Sequence, residues 1–303
     1  MMYSVRLLVI SIVVISAVFL SRVNSVEALN AGGIRLWGSL NGADATYPAA
    51  TSATDVTAGE GFTAILRKNG TVSIAGDNID MYLFASLLSR IKAVAAGNNH
   101  LIALRADGFV KAAGDDMFGQ SDVPAGLKNV VAIAAGGFHS LALKADGTIV
   151  QWGRKYADRP NIPKTTKKAI AIAAGNDHSI ALLSDGTVIT WGQNDQGQLN
   201  VPSGIRDVMA VTAGYKNTLV LHRNGLISAW GTKADNRSLV PTGLKNVVAI
   251  DAGGGQNLAL KSDGTVVAWG WNAYGQTKVP SNLRGITKIA AGWNHSVACA
   301  CVK

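Results

Sequence analysis

Hydrophobic and polar positions alternate in short runs, and the runs recur. In HSIALLSDG (residues 178–186) apolar and polar residues alternate up to Asp185-Gly186. That spacing predicts a strand running into a hairpin turn, because Asp-Gly suits the left-handed conformations such turns need. TVITWG (187–192) reads as the returning strand, NDQGQ as a loop, and LNVP (199–202) as a short outer strand. Pro is tolerated on that outer strand because an edge needs no donor. IAAG (172–175) reads as the strand before the first hairpin. Four antiparallel strands per unit follow. No helix-length amphipathic segment interrupts the pattern.

The unit recurs along the chain. An Ala-Gly pair ends at Gly59, Gly97, Gly136, Gly175, Gly214, Gly253 and Gly292, a step of 38 and then 39 five times. A second glycine series runs Gly38, Gly76, Gly114, Gly153, Gly192, Gly231, Gly270. Trp stands before it at Trp37, Trp152, Trp191, Trp230 and Trp269. Pro124, Pro163, Pro202, Pro241 and Pro280 keep the same period, and Pro48 fits the grid. Asp-Gly or Asn-Gly turns sit at equivalent places in the other units. A four-stranded unit of about 40 residues has the size of a propeller blade. The last unit stops after its second strand, and the first stretch, IRLWGSLNG, begins at the third. Together they complete one unit. The expected fold is therefore all-β: a seven-bladed β-propeller of four-stranded antiparallel blades. Its ring is closed where N- and C-terminal strands pair in one shared blade.

The units AAGxxHSxALxxDGTVxxWGxNxxGQxxVPxGL resemble the regulator of chromosome condensation repeat family. In cadence they are most similar to the bacterial β-lactamase inhibitory protein II branch. The resemblance spans residues 34–303 and implies a propeller that works by binding other proteins. In the family, the nuclear member is a guanine nucleotide exchange factor that also binds nucleosomes. The bacterial inhibitor binds β-lactamases through aromatic loops on one face. Fold alone does not fix which of these roles applies. No wedge-like insertion or basic N-terminal tail of the exchange factor is present.

The first 28 residues read as a separate element. Leu7–Leu20 is a run of 14 apolar and small residues after a basic start. A bilayer span takes about 20, so the run fits the core of a secretory signal peptide cut after Ala28. An uncleaved membrane anchor is the alternative. The mature chain, 29–303, is then one propeller domain outside the cytoplasm. Such an address argues against an exchange factor.

Repeated positions are assigned to the scaffold. His100, His139, His178 and His295 fall on different blades and read as hydrogen-bonded blade residues, not metal ligands. The grid tryptophans read as core, and Ala75 and Ala113 in their place predict two less well filled blades. The turn aspartates read as turn formers, and Gly-Gln at 119–120, 197–198 and 275–276 as loop structure. Cys299 and Cys301 lie two apart on one strand. Cys299 reads as a buried thiol, since bridging residues spaced this way is geometrically awkward.

Varying positions carry the candidate site. Strand direction puts the loops after Ala-Gly and after Trp-Gly on one face, here called upper. Large aromatics collect there: Phe62, Phe138, Tyr215 and Trp293 in the first set, Phe118, Tyr156, Trp271 and Tyr274 in the second. Trp271, Tyr274 and Trp293 fall in consecutive loops and are expected to cluster. Exposed aromatics on one face suit a protein-binding hot spot. The lower face collects cations, among them Arg67, Lys68, Arg105, Lys128, Lys144, Lys167, Lys168, Arg206, Arg223, Lys245, Lys261 and Arg284, within a chain of net charge +9. It could make weak contact with an anionic surface. It carries no interleaved aromatics for base stacking, so no specific nucleic acid is expected. No metal-ligand cluster, nucleophile elbow or phosphate loop is present. The reading is a non-enzymatic, monomeric, exported binding scaffold without a cofactor, such as an inhibitor of an extracellular enzyme. The alternatives are an envelope-associated module and an exchange-factor-like regulator.

Overall fold

The computed structural model describes residues 33–39, 45–47, 52–76, 79–154 and 161–302. Residues 1–28, Pro48 and Tyr156 lie outside them. Seven antiparallel sheets follow one another. The first is Ala53–Ala58, Phe62–Arg67 and Val72–Gly76, and the second Ile91–Ala96, His100–Arg105 and Val110–Gly114. The third is Val130–Ala135, His139–Lys144 and Ile149–Gly153, and the fourth Ala169–Ala174, His178–Leu183 and Val188–Gly192. The fifth is Val208–Ala213, Asn217–His222 and Ile227–Gly231, and the sixth Val247–Ala252, Gln256–Lys261 and Val266–Gly270. The seventh joins the chain ends: Lys288–Ala291, His295–Cys299, Ile34–Gly38 and Ala45–Tyr47. In it Ile34 lies opposite Cys299 and Gly38 opposite His295.

Among the described residues six sheets have three strands, not the four read from the pattern. Where LNVP was expected to extend, Val201 N–H donates to the Leu199 carbonyl and Asn200 N–H to Gly197. Local turns thus satisfy the backbone there, and Pro202 supplies no donor. The hairpin turns also differ in type. Only the glycine takes positive φ, for example Gly147 at +89°. The aspartate caps the turn instead: Asp146 Oδ1 accepts from Thr148 N–H at 2.9 Å. A further difference is the helix Ile79–Ser86, which replaces the loop after the first sheet.

The innermost strands run side by side around an axis. The Ala-Gly glycine is required where they converge: a Cβ on Gly136 would collide with the Gly175 carbonyl and with the ring of His139. The same holds from sheet to sheet, and a Cβ on Gly292 would come within 2.8 Å of the Gly59 carbonyl oxygen.

The histidines do not bond within their own blades, as the sequence suggested. They bond the next one. His100 Nε2 meets Ser140 Oγ at 2.9 Å, His139 meets Ser179 at 2.8 Å, His178 meets Thr218 at 2.9 Å, and His295 meets Thr63 at 2.9 Å. Ser140 Oγ donates in turn to the Gln120 carbonyl, which also accepts from Trp152 Nε1. Thr218, Gln198 and Trp230 repeat this arrangement, as do Ser296, Gln276 and Trp37. Gln120, Gln198 and Gln276 are wholly buried, so Gly-Gln is a joint between blades and not merely a loop. Since the serine hydrogen goes to a carbonyl, His100 Nε2 must donate, and burial keeps the ring neutral at pH 7.

Asn217 with Asn257 and Gln256 with the His295 carbonyl vary the joint but keep it polar, whereas one joint is apolar. Phe62 stands at the histidine place, Leu101 at the serine, Met81 at the glutamine and Ala113 at the tryptophan. All but Ala113 belong to one buried cluster. Met81, from the helix, comes close to Gly114 in the strand that carries Ala113. The void expected for a Trp-to-Ala blade is therefore occupied by a side chain the strand pattern does not supply. Every polar member is replaced at once, as a buried network requires: a partly satisfied one is worse than none.

Cys299 and Cys301 form a disulfide, which corrects the free-thiol reading. The strand ends at Cys299, so the chain is no longer extended and the two Cα atoms come within 5.0 Å. A loop this short removes little unfolded-state entropy. The expected result of reduction is a loss of about 1–2 kcal/mol, read as a small shift of the urea midpoint. Mass spectrometry after alkylation without reductant should find no labelled thiol in this two-cysteine chain.

Candidate functional site: the upper face

Each Ala-Gly loop is a tight hairpin with two residues at its tip. Gly136 N–H donates to the His139 carbonyl at 2.8 Å, leaving Gly137 and Phe138 at the tip. The second tip carbonyl then accepts from the residue after the Trp-Gly glycine. Arg154 N–H donates to Phe138, Trp271 to Gly255, and Ser39 to Asn294. Both loops of a blade are thus tied together on one face, as strand direction required.

The first tip residues surround the axis. Asn98, Gly137, Asn176, Tyr215, Gly254 and Trp293 line a cavity of about 60 Å³. Two contacts span its mouth. Asn98 Nδ2 donates to Asn176 Oδ1 at 3.2 Å across Gly137. Tyr215 and Trp293 meet edge to face at 5.2 Å across Gly254. A cavity this size admits a few waters but not an organic substrate.

Outside this mouth lie two aromatic pairs, the first with a cation. In one, Phe118 and Phe138 pack edge to face at 5.4 Å, and the Arg154 guanidinium lies 4.8 Å and 5.4 Å from their centroids. Asp177 stands 3.9 Å from Arg154. In the other, Trp271 and Tyr274 pack at 5.4 Å. Arg237 donates to the Gly254 carbonyl at 3.3 Å and lies 6.0 Å from the Tyr215 ring. Lys216 is 5.5 Å from the same ring. The hydrogen bond that Lys216 Nζ donates to Asp195 Oδ2 raises the Lys216 pKa above its ordinary value. The buried glutamines fix the loops: Gln120 Oε1 accepts from Phe118 N–H and Gln276 Oε1 from Tyr274 N–H, both at 2.9 Å.

The aromatics named from sequence therefore divide. Phe118 is 37% exposed and Tyr274 52%, while Phe138, Tyr215, Trp271 and Trp293 are half-buried. Phe62 is fully buried, so it belongs to the apolar joint and not to the face. Trp293 pairs with Tyr215 and not with Trp271 or Tyr274. The sequence reading passed over Arg154, Lys216 and Arg237. Their signal was present: each stands at a varying loop position, but a lone cation on a loop is ordinarily a solvated one.

Other titratable groups serve the joints. Burial lowers His100, His139 and His295 to about 4 and His178 to about 3. Burial raises Asp251 to about 6. It lies on an inner strand and accepts from Thr212 Oγ1 and Ala291 N–H of the adjacent sheets. Among the described residues no group of three or more His, Cys, Asp or Glu is arranged to hold a metal. On the lower face the turn aspartates pair with nearby cations: Arg105 with Asp107 at 2.6 Å, Lys261 with Asp263 at 2.9 Å, Lys144 with Asp146 at 3.3 Å.

Comparison with known proteins agrees with this architecture. The family model of the regulator of chromosome condensation (RCC1) repeat matches residues 130–154, 169–198 and 247–276. No curated protein matches the chain by sequence. Solved structures share the fold. Prp20p of Saccharomyces cerevisiae, described with its binding properties to Gsp1p and histones, is 16% identical, with 89% of this chain and 92% of that one covered at TM-score 0.72. Human WBSCR16 is 18% identical, with 90% and 99% covered at 0.68. The ectodomain of the Physcomitrella patens receptor kinase CR4 is 22% identical, with 79% and 67% covered at 0.67.

Proposed function

We propose that this chain is a non-enzymatic protein-binding scaffold, and that its partner docks on the upper face. The observation that carries this reading is the pair of aromatic groups on one face. Arg154 braces the first, and backbone hydrogen bonds between loops hold both, Arg154 N–H to Phe138 and Trp271 N–H to Gly255. Pre-set aromatic and arginine anchors lose little freedom on binding and suit a hot spot. The similarity to Prp20p supports the class, since that protein shares the fold and is described with its binding to Gsp1p and histones. The leader read in residues 1–28 supports an extracytoplasmic place of action. On that reading residues 29–303 form a single domain closed by the sheet that both termini share. Inhibition of an extracellular enzyme, in the manner of the β-lactamase inhibitory branch, is the role we favour over nucleotide exchange.

A pull-down from the extracytoplasmic fraction tests it, with the native chain beside W271A/Y274A/W293A. The expected result is a partner captured by the first and lost from the second, with equal thermal stability. Equal capture by both would remove the site assignment.

A further inference from the structure

The innermost strand carries a register shift, and it falls at the same place in six sheets. Ala169 and Ala171 pair with Leu183 and Leu182, so Ile170 has no partner of its own. Val131, Met209 and Val248 hold the same place in neighbouring sheets. A bulge of this kind re-aims one side chain out of the ladder. These four are 50%, 52%, 45% and 48% exposed for Val131, Ile170, Met209 and Val248. They form an arc over four consecutive blades, at the end of the inner strands opposite the glycine ring. Two residues before each strand stands an exposed cation: Lys128, Lys167, Arg206 and Lys245. Lys167 and Arg206 have aspartates at 3.8 Å and 3.9 Å, Asp185 and Asp207. Exposed pairs this long contribute little.

Repetition gives this lower face its shape. Equivalent residues of successive blades follow the same backbone path, so the apolar tips and the cations recur side by side on one face. Apolar tips and cations spread over four blades complement an extended anionic surface. The chain also enters from this side. Ile34 lies opposite Cys299 at the lower end of the shared sheet, so the first described strand starts on this face. We propose that the lower face rests on an anionic lipid surface, with Val131, Ile170, Met209 and Val248 at the headgroup level and the cations on the phosphates. The upper face then points away from the membrane, open to its partner. Shallow apolar insertion with basic residues around it is the usual chemistry of such contacts, and each cation strengthens attachment severalfold.

The test uses the mature chain, residues 29–303, with two kinds of vesicle, pure phosphatidylcholine and a mixture with phosphatidylglycerol. The ratio of the two affinities reports the charged face. The native chain should prefer the anionic vesicles by at least about thirtyfold. Lys128→Glu, Lys167→Glu and Lys245→Glu together should bring that preference to within about threefold of unity. Ile170→Ser with Met209→Ser should weaken anionic binding about tenfold. If the charge-reversed chain does not fold, a salt titration of the native chain decides. The preference must fall steeply as screening shortens. No preference in the native chain, a preference untouched by charge reversal or by salt, or capture of an acidic protein on this face without vesicle binding would overturn the proposal.

Discussion

Acidification from pH 7 to pH 4 should unfold this protein. His100, His139, His178 and His295 are neutral in the joints, with pKa values lowered by burial to about 4, 4, 3 and 4. In the unfolded chain they titrate near 6.5. A group whose folded pKa is depressed in this way contributes stability above 6.5 that is lost as pH falls toward the folded value. Asp251 acts in the opposite sense. Its folded pKa of about 6 lies above the ordinary carboxylate value. The folded state therefore holds a proton there between pH 6 and pH 4 that the unfolded state lacks. The net uptake on unfolding is about three protons across that interval. At about 1.4 kcal/mol per proton and pH unit, the loss is on the order of 8 kcal/mol, comparable with the whole stability of a domain. Urea midpoints at constant m-value between pH 8 and pH 4.5 measure it. A midpoint that stays level to pH 4.5 would mean the histidines are not buried neutral at the joints.

The second large effect is expected at the apolar joint. Phe62→His puts a buried imidazole opposite Leu101 with no acceptor for its N–H. The cost should be about 3–5 kcal/mol, from lost packing and an unpaired donor. Leu101→Ser alone also leaves a cavity and a buried hydroxyl. Together the two restore the pairing that His100 and Ser140 make. A double-mutant cycle should then give a favourable coupling of about 1–3 kcal/mol. In a polar joint the reverse holds: Ser140→Ala strands the His100 N–H and should cost about 1–3 kcal/mol by itself. Simple additivity at residues 62 and 101 would show that the exchange of four side chains at this joint is not one unit.

The repeat made the sheets legible, because glycine, proline and turn positions recur at fixed steps and each has a backbone reason to be there. It also gave the two faces, which follow from strand direction. What it hid lies between units. An offset of 39 says that His100 and His139 are equivalent, not which neighbour each one touches. The clue was a spacing of 40 from His100, His139 and His178 to a Ser or Thr, with Phe62 and Leu101 changed together. The helix Ile79–Ser86 was illegible for a different reason. IDMYLFAS is apolar nearly all round, so it shows no helical period. Cys299 and Cys301 were judged on an extended strand, and the strand stops at the first of them. The upper site was half legible. The loops and six of the aromatics now described on it were named, but Phe62 was misplaced because histidine and phenylalanine at that place serve the same joint. The cations that brace the rings became visible only once the loops were positioned.

The central claim is that the upper face is the protein-binding surface. The most direct measurement is the affinity of the captured partner for three folded variants beside the native chain. These are W271A/Y274A/W293A and F118A/F138A on the upper face, and K128E/K167E/K245E on the lower. The account predicts losses of at least a hundredfold in the first, about tenfold or more in the second, and no more than about threefold in the third. Losses confined to the lower-face variant, with both upper-face variants binding like the native chain, would contradict it.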